Sequence, residues 1–377
     1  MDTESERYSR QMRLPGFGPA GQERLRGARV LVVGCGALGT VACDYLVRAG
    51  VGALTIVDRD LVEPSNLQRQ TLFTEQDAAR GVPKAEAAKA RLGLVNRACR
   101  VRAFVDDLRA VNALRYASEV DLIVDALDNF ETRAVLNECA VSRRIPLVYG
   151  GAVGYEGMAA AILPHGSDAR MGFGGALTWD DARSTACLRC LLPELPAPGE
   201  LPTCDVAGVL GPVAGMVASM QAALAIRLLA QGPDSVPDAL LRVDLASMRL
   251  SSASIRGARN PECACCARRR FELLERSAAD SGVRILCGRE AVELSLGSDL
   301  DDAAFARLEA RVRGVACVER DTHGSTRVLR ISARDRAEGD EVRRISVLAG
   351  ETATLALVEG TRDPEQARAA VARWIGM

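Results

Sequence analysis

The chain has 377 residues, enough for two or three domains with a full core. Its 48 Lys and Arg stand against 49 Asp and Glu, a formal net charge of −1, so neither a nucleic-acid-binding surface nor a charged disordered arm is indicated. The opening residues, MDTESERYSR, are charged and contain no apolar run, so no export signal is read there and a cytoplasmic location is expected.

In chain order, a first helix is expected over 2–13, then the turn LPGFGPAG and a short helix in QERLRG. The segment ARVLVVGCGALGTVACDYLVRAGVGALTIVDRD predicts a buried strand (29–33), a Gly-rich turn, a helix (37–49) and a second buried strand (53–57). A helix follows at 84–95, strands at 100–105, 120–125 and 145–149, and a helix at 130–142. Alternating buried strands and helices argue for an α/β fold, a Rossmann-like doubly wound and mostly parallel sheet with both faces covered. After 150, GAVGYEGMAAAILP predicts a strand pair, and 164–205, rich in Gly, Pro and Cys, an irregular crossover. AGVLGPVAGMVASMQAALAI (207–226) is uncharged and long enough to span a bilayer. Three Gly and a Pro crowd its first half, so a buried loop and helix over 212–230 fits better, and no membrane association is expected. LLRVDLASMRLSSASI predicts another strand pair, and RNPECACC closes a first domain of residues 1–275. Residues 280–377 form a separate pattern, a small α+β domain. Strands are expected in VRILCGREAVELSL, RVLRISA, RRISVLAG and TLALVEG, and helices in DDAAFARLEARVRG and DPEQARAAVARWIG.

The chemistry concentrates at predicted strand ends. Gly34, Gly36, Ala37 and Gly39 form a turn where backbone can approach a phosphate at a helix N-terminus. Asp58, 19 residues past Gly39, stands where an acid holds ribose hydroxyls. These features alone also fit an NAD-dependent oxidoreductase. The next loop argues otherwise: after Asp60 come Ser65, Asn66, Leu67, Gln68, Arg69 and Gln70, polar groups around a fixed cation. Arg69 can fork onto phosphate oxygens, and Lys84 adds a second charge. Asp128 follows another strand and suits Mg2+ beside polyphosphate, with Asn129 next to it. Arg, Lys and an acid-held metal together make a phosphate-transfer set.

Twelve Cys are many for a chain without an export signal. Cys187-Leu-Arg-Cys190 and Cys263-Ala-Cys-Cys266 supply four thiolates for a structural zinc that would stabilise the crossover, with Cys265 an alternative fourth ligand. Cys204 is unpaired and is a candidate nucleophile. The two histidines, His165 and His323, lie outside every motif, which disfavours a histidine base.

An ordered set of motifs resembles the ThiF/MoeB/HesA family, relatives of the ubiquitin-activating enzymes. The set is RYSRQ (7–11), GCGALG (34–39), VDRDLVEPSNLQRQ (57–70), GVPKAEA (81–87), DALDNFETR (125–133), CLRC (187–190), TCDVAGVLGP (203–212) and NPECACC (260–266). The resemblance implies a homodimer that uses Mg-ATP to adenylate the C-terminal glycine of a small ubiquitin-like sulfur-carrier protein ending in Gly-Gly, releasing pyrophosphate. Sulfur would then come from a donor such as a cysteine desulfurase. By that likeness Asp58 holds the ribose, Asn66, Arg69 and Lys84 contact phosphates, Asp128 binds Mg2+ and Asn129 lines the site. Arg10 would reach the partner subunit's site, and Cys204 would stand where some members link covalently to the carrier. Ala37, Gly154 and Met158 depart from common family residues. Residues 280–377 do not resemble a rhodanese; they are similar to the extension of some bacterial ThiF-type proteins. An adenylating enzyme for a peptide or tRNA-linked carboxylate, and an inactive carrier-binding module, are the remaining alternatives.

Overall fold

Arg29–Val33 (β1) is apolar at four successive positions, and all four are buried, as a strand covered on both faces must be. It is the centre of the first sheet in a computed structural model that describes residues 6–164, 183–194, 207–275, 283–285, 291–296, 300–314, 316–333 and 342–375. β1 pairs in parallel with β2 (Ala53–Val57) and β4 (Leu122–Asp125), and β4 in parallel with β5 (Leu147–Val153). β3 (Arg100–Phe104) lies outside β2. β6 (Glu156–Ile162), β7 (Ala239–Asp244) and β8 (Arg249–Ser254) continue the sheet antiparallel, giving the order β3-β2-β1-β4-β5-β6-β7-β8. The parallel arrangement thus occupies the nucleotide-fold half, and the two expected strand pairs build the other.

The helices of this unit are α1 (Ser9–Met12), α2 (Gly18–Gly27), α3 (Ala37–Ala49), α4 (Glu75–Arg80), α5 (Lys84–Val95), α6 (Ala110–Tyr116), α7 (Phe130–Arg143), α8 (Leu188–Leu191), α9 (Gly211–Gln231) and α10 (Glu272–Glu275). α3 ends on Gly50, whose φ of 90° supplies the left-handed cap that a helix stop favours. α9 is long and apolar enough to cross a membrane, but most of its apolar stretch is buried, and it packs on α3, β5 and β6. It is a core helix, as the Gly and Pro of its first half imply.

Two compact units are present: Met1–Ala103 with Leu108–Ala278, and Phe104–Asp107 with Ala279–Met377. The second contains an antiparallel sheet in the order β11-β12-β13-β14-β10-β9. Its strands are β9 (Val283–Ile285), β10 (Ala291–Ser295), β11 (Ala316–His323), β12 (Thr326–Ala333), β13 (Arg344–Ala349) and β14 (Thr354–Glu359). α11 (Asp302–Arg313) and α12 (Pro364–Ile375) contribute Phe305, Leu308, Val312, Val371 and Trp374 to a core shared with β10 and β12–β14. α4, α6 and β11 add to the expected elements. α4 opens on a reciprocal Thr74–Asp77 capping box. Half of β11 is exposed and only its end residues Ala316 and His323 are buried, so its sequence lacks an apolar face.

Candidate nucleotide site and cysteine cluster

After Val33 the chain turns through Gly34, where φ is 90°. A Cβ at Gly34 would fall 2.6 Å from the Ala126 carbonyl oxygen, so glycine lets this turn rest on the loop after β4. Gly36 precedes Ala37, the first residue of α3, and the free N–H groups of that helix end open toward the turn. Asp58, just past β2, ties the turn down: its Oδ2 accepts the Cys35 N–H at 2.6 Å and its Oδ1 the Asp60 N–H at 2.8 Å. Burial raises its carboxyl above the ordinary value, and the Lys84 charge opposes that shift.

The polar loop folds back beside this turn. Pro64–Asn66 forms a single 3-10 turn, and the buried Asn66 accepts the Glu63 N–H at 3.1 Å. Ser65 and Gln68 are exposed, Leu67 and Arg69 half-buried. Arg69 donates from Nη1 to the Ser65 carbonyl at 2.9 Å. Gln70 is buried against the glycine turn, its Nε2 3.8 Å from where a Cβ at Gly36 would stand, and its buried Oε1 has no hydrogen-bond partner among the described residues. Lys84, the first residue of α5, is only 5% exposed, with Nζ 2.8 Å from Asp60 Oδ2. The structure therefore gathers Gly34, Gly36, Gly39, Asp58, Asp60, Gln70 and Lys84. Lys84 faces Asp60, an ion pair the sequence did not reveal. Arg10 is exposed on α1, whose other residues are half-buried. Cys204 lies outside the described residues.

At the end of β4, two acids three residues apart have opposite surroundings. Asp128 is exposed; its Oδ1 accepts a long 3.5 Å hydrogen bond from Asn129 Nδ2, and no Lys or Arg pairs with it among the described residues. Such an uncommitted carboxylate fits a hard divalent cation. Asn129 caps α7 by accepting the Thr132 N–H at 2.9 Å. Asp125 is fully buried, which raises its carboxyl, and it faces Arg133, with Nε 3.1 Å from Oδ2. Arg133 Nη2 donates to the carbonyls of Leu127 and, at 2.7 Å, of Gly150. The guanidinium lies 4.9 Å from the Tyr149 ring centre and 5.2 Å from that of Phe130. In sequence Arg133 reads as an ordinary helix-surface charge; its position one turn after an N-capping Asn at a strand end was the available signal.

The other centre is the cysteine cluster. The sulfurs of Cys187, Cys190, Cys263 and Cys266 are buried and lie within 4.8 Å of one another. Separations are 3.9 Å for Cys187–Cys190, 3.8 Å for Cys187–Cys263 and 3.4 Å for Cys190–Cys266. Four thiolates at about 2.3 Å from one tetrahedral ion stand about 3.8 Å apart, so the cluster fits zinc. Cys265 is not one of these four; its sulfur lies beside Cys187 and accepts from Asn137 Nδ2 at 3.4 Å. Asn137 Oδ1 accepts the Leu188 N–H at 2.9 Å, which tethers the Cys187–Cys190 turn to α7.

The chain is similar to known proteins. The ThiF family model matches residues 8–265. The sulfur carrier protein ThiS adenylyltransferase of Bacillus subtilis (strain 168) is 36% identical over 372 residues, 98% of this chain and 99% of that protein. The sulfur carrier protein adenylyltransferase of Thermus thermophilus is 41% identical over 263 residues, 70% of this chain and 91% of its own length. Among solved structures, E. coli MccB with ATP superposes with a TM-score of 0.54 at 23% identity, covering 69% of this chain and 74% of MccB, a likeness of fold. By the span of the family match and by the full-length identity to a relative, the chain belongs to the ThiF family.

Proposed function

We propose that the chain is an ATP-dependent adenylyltransferase that activates the C-terminal glycine carboxylate of a small ubiquitin-like sulfur-carrier protein, for sulfur transfer in cofactor synthesis or a related thiolation pathway. The carrying observation is the 36% identity to the Bacillus subtilis ThiS adenylyltransferase along 98% of this chain, which includes the second unit. The gathered glycine turn, Asp58, Gln70 and Lys84 support it.

The carrier carboxylate is ionised near neutrality, so attack on the α-phosphorus needs no general base. A bond forms between carboxylate oxygen and α-phosphorus, and the α–β bridging P–O bond breaks, releasing pyrophosphate. The chain's task is positioning and charge neutralisation. The α3 N-terminus and glycine turn cradle phosphates, Asp58 holds the ribose, and Asn66, Arg69 and Lys84 meet the phosphate oxygens. Asp128 holds Mg2+, which when bound neutralises phosphate charge, and Asn129 lines the site. A second copy in a homodimer supplies Arg10. Sulfur of a donor then attacks the acyl-adenylate, the C–O bond to the phosphate breaks and AMP leaves, with Cys204 the candidate for a covalent link. Cys187, Cys190, Cys263 and Cys266 hold a structural zinc. ATP–pyrophosphate exchange tests the assignment: it should require a carrier ending in Gly-Gly and vanish when the last glycine is removed. Exchange that ignores the truncation would refute the substrate.

A further inference from the structure

We propose that Arg133 is a positioning residue, which with Asp125 fixes the backbone of Leu127 and so aims Asp128 at the nucleotide; this rests on the metal-binding reading of Asp128. Leu127 is the residue immediately before Asp128, and both of its backbone polar groups are held by this one ion pair. Its N–H donates to Asp125 Oδ1 at 3.1 Å, and its carbonyl accepts from Arg133 Nη2. The same Nη2 donates to Gly150 O at the neighbouring strand, so the loop is gripped against β5. Gln221 of α9 adds a fixed rear wall, donating from Nε2 to Asp125 O at 2.7 Å and Val148 O at 3.2 Å. On the front side, Gly34 packs on Ala126 O. The grip therefore lies between the glycine turn and the acid, and it leaves the Asp128 carboxylate itself uncommitted.

The chemistry demands an arginine. The planar fork meets a carboxylate through Nε and two carbonyls through Nη2, while Tyr149 and Phe130 cover its faces. A lysine ammonium is a point charge on a flexible stem and cannot hold these targets in one plane. A residue serving only stability would weaken the fold without favouring one ligand. A residue aiming Asp128 must weaken the metal-dependent part of nucleotide binding selectively.

The test uses the full chain with Arg133→Lys, Asp128→Asn and both together. ATP affinity is measured by calorimetry with and without Mg2+, and melting temperature is recorded for each variant. Arg133→Lys is expected to reduce the Mg2+-dependent gain in affinity about tenfold, with metal-free affinity changed less than about twofold. The double variant should match Asp128→Asn alone, because the two residues act as one unit. Equal loss with and without Mg2+, or further loss in the double variant, overturns the positioning role while leaving Asp128 in place. Asp128→Asn that keeps the whole Mg2+ gain removes the acid from the site, and this inference with it. Should Arg133→Lys not fold, Phe130→Leu removes one covering ring and takes the same measurement, with an expected reduction of about two- to fivefold; an unchanged Mg2+ gain there overturns the role.

Discussion

Gly39→Ala would place a methyl carbon 2.1 Å from the Gly34 carbonyl oxygen and 2.9 Å from its carbon. Ordinary C···O approach is about 3.3 Å, so backbone must move by about 1 Å. Overpacking of this kind costs about 1–3 kcal/mol, and a backbone obstacle puts it at the upper end. Alanine returns about 1 kcal/mol of helix propensity, because Gly39 lies inside α3. The net loss is about 2 kcal/mol, or roughly 4–8 °C in melting temperature for a domain of this size. The displaced Gly34 is the turn that rests on Ala126, so ATP affinity should fall too. Gly93→Ala is the internal control. Gly93 lies in α5 with nothing within 4 Å of an added Cβ, so the same change should stabilise by about 1 kcal/mol. Differential scanning fluorimetry and ATP titration of both variants decide the matter. Gly39→Ala melting at or above the parent would refute the close approach and the turn geometry built on it.

Three further outcomes are expected. Metal analysis of fresh, reduced protein should find one zinc per chain; Cys263→Ser should release it and lower stability by several kcal/mol, on the order set by metal-coupled folding. Arg69→Ala should melt within about 1 kcal/mol of the parent, since among the described residues its side chain bonds to nearby Ser65 O, yet lose two to three decades of pyrophosphate exchange. Glu309 accepts from Arg313 and Arg320, and these bonds hold its carboxyl below the ordinary 4.5. A lowered carboxyl contributes stability above its unfolded value and loses it as pH falls through the folded one. Glu309→Gln should therefore flatten the acid limb of a melting-temperature profile between about pH 5 and 3, by a few tenths of a kcal/mol for so exposed a pair of arginines.

The nucleotide-fold half was legible because its signals are local. Apolar runs fixed β1, β2 and β4, and Gly50 marked the end of α3. The cysteine pairs were legible because their Cys-x-x-Cys spacing is the one a tetrahedral metal site requires, and the four sulfurs do cluster. The Thr74–Asp77 capping box of α4 was visible in TEQD and went unused. What stayed hidden depends on tertiary placement. Arg133 and Lys84 are long cations that look solvated in one dimension, and only the fold shows one beneath Tyr149 and the other against Asp60. β11 carries Glu319, Arg320 and Asp321 at its centre, so no apolar alternation announced it. The choice between Cys265 and Cys266 also needed coordinates, because both reach Cys187 and only Cys266 completes the four-sulfur cluster.

α7 joins the two chemical centres by a single rigid rod. Its first turns carry the Asn129 cap and Arg133; one turn further, Asn137 grips Leu188 and Cys265 beside the thiol cluster. Arg133 and Asn137 are four residues apart, about 6 Å along the axis. An ion held by the four thiolates would therefore act as a peg for this rod, and oxidants that strip it should blunt nucleotide handling without touching a phosphate ligand.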